Sequence, residues 1–181
     1  LEQGVSLYGG YESDFAEDKR DITNNKSIIQ GTDSYTVMAS KIFFTTMFEG
    51  FLIKGATMAG ETTALFIDNC SASLTIQNVE ITGGNSTASH STGVYIFNRS
   101  YMTLKNSIIT GGHASDNTNA VVVEDYSLPT ISYNTITAGE STGSSTSRAI
   151  MVRYNSTPTI SYNTITAGIG LNSYGLLLSN E

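Results

Sequence analysis

Carboxylates and histidines are the residues of this chain that could do chemistry, and their spacing decides what they can do. Hydrolysis of a glycosidic bond needs two carboxyl groups facing each other across roughly 5–9.5 Å. Asp68 and Glu124 stand at one phase of a repeating unit, two units apart. On stacked strands that separation is about 9.6 Å, and Phe97 of the unit between them sits where water and sugar would go. Arg153 stands one unit beyond Glu124. The spacing therefore predicts a Glu124–Arg153 ion pair across one rung, worth about 0.2–1 kcal/mol if exposed. Calcium takes six to eight oxygens, several of them from carboxylates. Glu49, Glu61, Asp68, Glu80, Asp116, Glu124, Asp125 and Glu140 are scattered by phase, and the adjacent pair Glu124–Asp125 must point to opposite faces of a strand. His90 and His113 fall in loops one unit apart, and zinc would want two more ligands that no Cys or His supplies. Cys70 is the only cysteine; it forms no internal disulfide and reads as a small buried apolar residue. The sequence assigns no catalytic residue, no metal ligand and no cofactor.

The elements that position these residues follow from a repeated ten-residue phrase. It reads MFEGFLIKGA, TIQNVEITGG, TLKNSIITGG, TISYNTITAG and TISYNTITAG, starting at 47, 75, 103, 130 and 159, in steps of 28, 28, 27 and 29 residues. A period in this range marks a solenoid or an array. Each unit also carries a small residue followed by an apolar–any–apolar triplet, as in Ala64-Leu65-Phe66-Ile67 and Gly93-Val94-Tyr95-Ile96. Both phrases alternate with period 2 and are rich in β-branched residues, which signals strands. No helical period is sustained, so leucine-rich and helical repeats are excluded. The expected fold is all-β: a right-handed parallel β-helix of about 27–29 residues per coil, with about three short strands per coil. Pro129 and Pro158 share a phase and must mark strand starts or bends.

Stacking turns each phase into a column. Ile53, Ile81, Ile109, Ile136 and Ile165 form one inward column; Leu65, Val94, Val121, Ile150 and Leu176 a second; Ile67, Ile96, Val123, Val152 and Leu178 a third. Asn78 and Asn106 occupy the fourth place of the phrase, and Asn134 and Asn163 the fifth, so an asparagine ladder is expected to break or shift between the second and third of these coils. The middle triplet residues Phe66, Tyr95, Val122, Met151 and Leu177 should point outward, as an apolar interaction stripe about 20 Å long that either meets a partner or another domain or is covered by flanking loops. Thr82, Thr110, Thr137 and Thr166 should form a threonine ladder. Two Thr-Ile-Thr strands on one face look like ice-binding arrays, but only two coils carry the pair, and Glu80 and Lys54 interrupt the face. The polar stretches Asn85 to Ser91, His113 to Asn117, Glu140 to Ser147 and Ile169 to Ser173 read as loops along one edge, where solenoids place binding surfaces.

Charge narrows the partners. The net charge of −7 disfavours nucleic acid and anionic membranes, and no apolar run is long enough for a helical membrane span. Residues 1–45 fit the period less well, and Tyr11 to Lys26, with Glu12, Asp14, Glu17, Asp18 and Asp21, reads as an acidic excursion from an early coil. Residues 46–181 are the regular coils of a single domain, 1–181, which reads as a segment of a longer protein or one that stacks on neighbours.

The Asn-x-x-Ile-Thr-Gly-Gly and Asn-Thr-Ile-Thr-Ala-Gly phrases, with the Gly/Ala-aliphatic triplet, resemble those of right-handed parallel β-helix repeat proteins, the pectate-lyase-like superfamily. The opening Gly4-Val5-Ser6-Leu7-Tyr8-Gly9-Gly10-Tyr11, the acidic stretch and Ile28-Ile29-Gln30-Gly31 resemble the start of secreted bacterial β-helix proteins of surface type. The superfamily holds lyases, hydrolases, epimerases, adhesins and structural passengers, so the resemblance implies a fold more than an activity. The expectation is a non-catalytic, secreted or cell-surface bacterial module, a structural protein or adhesin. Its partners would be protein, through self-assembly or a neighbouring domain, or surface glycan. The alternative is a carbohydrate-active enzyme, a polysaccharide lyase or glycoside hydrolase whose site lies partly outside this segment. Ice binding through the threonine ladder is a minor third reading.

Overall fold

The chain winds as a parallel β-solenoid, described here for residues 1–12 and 19–179 of a computed structural model. Asp14, Glu17 and Asp18 of the acidic excursion lie outside the described residues. Each coil runs through the same sequence of faces. Sheet A holds Leu7–Tyr8, Thr46–Glu49, Leu74–Gln77, Thr103–Lys105, Thr130–Ser132 and Thr159–Ser161. Sheet B follows with Ser27–Gln30, Phe51–Lys54, Glu80–Thr82, Ile108–Thr110, Thr135–Thr137 and Thr164–Thr166. Sheet C closes the coil with Tyr35–Ser40, Thr62–Asp68, Ser91–Phe97, Thr118–Val123, Thr146–Val152 and Asn172–Leu178. These are the three strands per coil that the period-2 patterns announce.

A fourth sheet was not legible. Thr57–Met58, Asn85–Ser86, His113–Ala114 and Glu140–Ser141 pair in parallel between sheets B and C. Three of these pairs begin stretches that the sequence marks as loops. Two residues are too few to show an alternation, and their pairing comes from the neighbours on either side. A glycine column makes the approach possible. A Cβ on Gly139 would lie 2.1 Å from the Gly112 carbonyl oxygen, and one on Gly168 2.0 Å from that of Gly139. The small residues that end each phrase are there because successive coils touch backbone to backbone.

The inward columns stack as the phase predicts. Ile53, Ile81, Ile109 and Ile136 are fully buried, as are Leu65, Val94, Val121 and Ile150. Burying each such side chain stabilises the fold by about 1.5–3 kcal/mol. The last rung of two columns is open, with Leu176 45% and Leu178 68% exposed.

The corners are held by polar ladders. Asn78 (φ 50°) and Asn106 (φ 51°) take the left-handed conformation where sheet A turns into sheet B. In the next two coils Tyr133 (φ 58°) and Tyr162 (φ 55°) take that place, which moves the asparagines one position on, as the phrase implies. There Asn134 Oδ1 accepts from the Ser107 amide at 2.9 Å, and Asn163 Oδ1 from the Asn134 amide at 2.8 Å. Each amide group also donates downward, Asn134 Nδ2 to the Leu104 carbonyl and Asn163 Nδ2 to that of Ile131. Where sheet C turns into sheet A, a serine ladder does the same work. The amides of Cys70, Ser100 and Ser127 donate to Ser100 Oγ, Ser127 Oγ and Ser156 Oγ at 3.1, 3.1 and 3.0 Å. Cys70 is buried, as expected, and occupies a rung of this ladder. Pro129 and Pro158 immediately precede strands of sheet A, which is where a residue without an N–H can stand.

Two outcomes follow. Ser127→Ala leaves the buried Ser100 amide without its acceptor and should cost about 1–3 kcal/mol by urea denaturation. Gly139→Ala forces backbone apart and should lower the urea midpoint further than Ser127→Ala; an unchanged midpoint would contradict the close approach.

Candidate functional site

The outer face of sheet C gathers most of the residues that the sequence singles out. Its central column is in register: Phe66 pairs with Tyr95, Tyr95 with Val122, Val122 with Met151 and Met151 with Leu177. The stripe is largely out of water: Val122 and Met151 are only 3% and 8% exposed, while Phe66, Tyr95 and Leu177 are half-buried. The stripe is covered by its own neighbours. Tyr35 packs on Phe66 at 4.6 Å, Phe66 meets Tyr95 edge-on at 5.5 Å, and Tyr95 meets Phe97 at 5.9 Å. Such aromatic pairs add about 0.5–1.5 kcal/mol each beyond area burial. Period 2 gives the side of the sheet on which a residue stands; it carries no information on what lies over it.

Glu124 stands in the next column. Its side chain is 3% exposed, and it forms the expected ion pair with Arg153 through Oε1 and Nε. The sequence did not foresee the burial, or the second partner: the Tyr95 hydroxyl donates to Glu124 Oε2 at 2.7 Å. To reach it, the Tyr95 ring extends from its own rung to that of Val122. Burial pushes the Tyr95 phenol well above its ordinary value, and the hydrogen bond and charge of Glu124 push it further. Burial works against the Arg153 charge, but the hydrogen bond and charge of Glu124 outweigh it and raise its pKa. A tyrosine one rung before a glutamate in the adjacent outward column was the available signal.

The other carboxylates are engaged as well. Asp68 accepts from Ser40 Oγ at 2.8 Å and Asn98 Nδ2 at 2.9 Å. Phe97 pairs with Asp68 and lies between it and Glu124, so the two carboxylates do not frame an open space. Glu49 accepts from Asn78 Nδ2 at 2.7 Å and pairs with Arg20 at 3.4 Å. Glu80 pairs with Lys26 at 2.5 Å. His113 is exposed and 3.3 Å from Glu140. His90 is half-buried, with Nδ1 3.1 Å from Asp116 and Nε2 4.0 Å from Glu61. Those two carboxylates address opposite nitrogens of the ring. Among the described residues no three His, Cys, Asp or Glu side chains converge to hold a metal ion.

A cavity of about 130 Å³ lies over this face, lined among others by Glu61, His90, Asn119, Val122, Glu124 and Arg153. The threonine ladder is on sheet B, where Thr82, Thr110, Thr137 and Thr166 pair in order. It borders a shallow groove of about 340 Å³ with Gly112, His113 and Glu140. Sheet A carries another column, Thr75, Thr103, Thr130 and Thr159, at the first place of the phrase, where the shared Thr was the signal. Among the described residues no helix is long and apolar enough to cross a membrane.

Tyr95→Phe should cost about 1.5–3 kcal/mol, since its hydrogen bond has a charged acceptor. The fold favours the neutral phenol, so Tyr95 contributes stability in full below the ordinary value of 10.0 and loses it as pH rises beyond. In an ultraviolet titration of the folded protein, Tyr95→Phe should remove a phenol ionisation that lies above the ordinary value.

Sequence comparison agrees with this architecture. The family described as right-handed beta helix region matches residues 63–181. No curated protein and no solved structure matches the chain. With stacked parallel sheets and a match over more than half its length, the chain belongs to the right-handed β-helix family.

Proposed function

We propose that this β-helix is a non-catalytic scaffold module of a secreted or cell-surface bacterial protein, a rigid rod that works in adhesion or assembly. The observation that carries the reading is the state of its carboxylates. The acid–base candidates of the coils, Asp68 and Glu124, each have both oxygens hydrogen-bonded within the fold. A general acid or base needs a lone pair or proton directed at the substrate, and a glycosidase needs two such groups across a gap. Here Phe97 fills the gap, and both oxygens of Glu124 are held by Tyr95 and Arg153. The same bonds stiffen the rod, because each crosses from one coil to the next. The extracellular placement rests on the resemblance of the opening stretch to secreted β-helix proteins. The partner is a protein or a surface glycan met along the outer faces.

Incubation with polygalacturonate, alginate, xylan and β-glucan, with and without calcium, tests this. No new reducing ends and no unsaturated products are expected; turnover of any of these polymers would overturn the reading.

A further inference from the structure

Of the ten tyrosines, all among the described residues, only Tyr133 and Tyr162 pack on each other. Their ring centroids lie 4.9 Å apart, with the rings 6° from parallel. Register puts them there. Ser132 pairs with Ser161 and Thr135 with Thr164, so the two tyrosines stand one above the other at the corner between sheets A and B. The Asn134–Asn163 ladder beside them holds that corner in place. The rings themselves meet water, with Tyr133 59% and Tyr162 77% exposed. In earlier coils Asn78 and Asn106 hold the same place, so closing the corner does not call for a ring.

Two exposed phenols held face to face share a reaction that neither has alone. Loss of an electron and a proton turns a phenol into a phenoxyl radical, and two such radicals join carbon to carbon. Fixed on one chain, they meet at an effective concentration that free phenols do not reach. The chain has no tryptophan, and its single cysteine, Cys70, is buried, so no exposed indole or thiol gives up an electron first. The neighbouring corner supplies a contrast. Tyr126 and Tyr154 are also exposed, at 51% and 42%, but Arg99 and Arg153 lie over their rings, 6.0 and 4.8 Å from the centroids. A fixed positive charge beside a ring makes removal of an electron from it harder.

We propose that Tyr133 and Tyr162 are a site of oxidative coupling, where an external one-electron oxidant, a peroxidase supplied with hydrogen peroxide, joins them as dityrosine. Each phenol loses one electron and its hydroxyl proton. The radicals bond through the ring carbons next to the oxygen-bearing carbon. The two hydrogens on those carbons then move to the oxygens, which restores both phenols. One hydrogen peroxide takes up the two electrons and two protons and leaves as two waters. Both rings project into water, so they can tilt from face to face to edge to edge while the backbone ladder stays as it is. The new bond ties the coil of Thr159 to the coil of Thr130. It closes the 29-residue step from Tyr133 to Tyr162 and so removes entropy from the unfolded chain, as a disulfide does. The site goes beyond the scaffold reading and does not depend on it: it is a covalent staple beside the rung where Leu176 and Leu178 are open to water.

Treating dilute protein with a peroxidase and one equivalent of hydrogen peroxide tests it. A monomer lighter by two hydrogen atoms should appear, with the blue fluorescence of dityrosine, and peptide mapping should place the bond between Tyr133 and Tyr162. Tyr162→Phe keeps the stacked ring without its phenol and should abolish the product. Tyr126→Phe/Tyr154→Phe should leave the yield unchanged. The linked monomer should need more urea to unfold than the untreated parent. No dityrosine within the chain, a bond that maps to other tyrosines, links between chains alone, or a product that survives Tyr162→Phe would overturn the site. An unchanged urea midpoint for the linked monomer would overturn the staple.

Discussion

Among the described residues, the inner strands pair their backbone N–H and C=O groups with the coils above and below, at a spacing of about 4.8 Å. This constraint governs the rest of the structure. A parallel ladder in register allows no freedom of phase, so whatever suits one place in a coil must suit the same place in the next. Leu65, Val94, Val121 and Ile150 are alike because they share one column. Gly112, Gly139 and Gly168 recur because at their corner a Cβ would strike the neighbouring backbone. The corner ladders of Asn134–Asn163 and Ser100–Ser127–Ser156 answer the same demand where the strands end. They supply acceptors to amides that the turn would otherwise leave unpaired.

The same constraint explains what the sequence showed and what it did not. The inward columns were legible because burial and period 2 act together on them. The shift of asparagine from the fourth to the fifth place was legible as well, and Tyr133 and Tyr162 supply its physical cause. Two-residue strands such as Asn85–Ser86 were not legible, because their pairing is imposed from outside and leaves no local pattern. The second partner of Glu124 was hidden for a related reason. It comes from Tyr95 crossing to Glu124, a diagonal contact between columns that no column-by-column reading contains.

On and beside sheet C, Asp68, Glu124 and Arg153 are used by the fold internally. Near-identical copies of the phrase at Thr130 and Thr159 look at first like the most purely structural part of the rod. The structure places there the stacked Tyr133 and Tyr162, which the ladder neither requires nor buries. A repeat can thus build the scaffold with its inward positions and vary its display with the outward ones, where stacking imposes only that neighbours not collide.

Register is therefore the claim on which the account depends, and distances along one outward column test it most directly. Lys54, Thr82, Thr110, Thr137 and Thr166 form such a column on sheet B. In a Cys70→Ser background, which keeps a hydroxyl on the serine ladder, spin labels would be placed at Lys54 and at each threonine in turn. Electron paramagnetic resonance should give backbone separations rising in equal steps of about 4.8 Å, to about 19 Å at Thr166. Separations that fail to rise evenly along the series would contradict the stacked register, and with it the assignment of every column and corner.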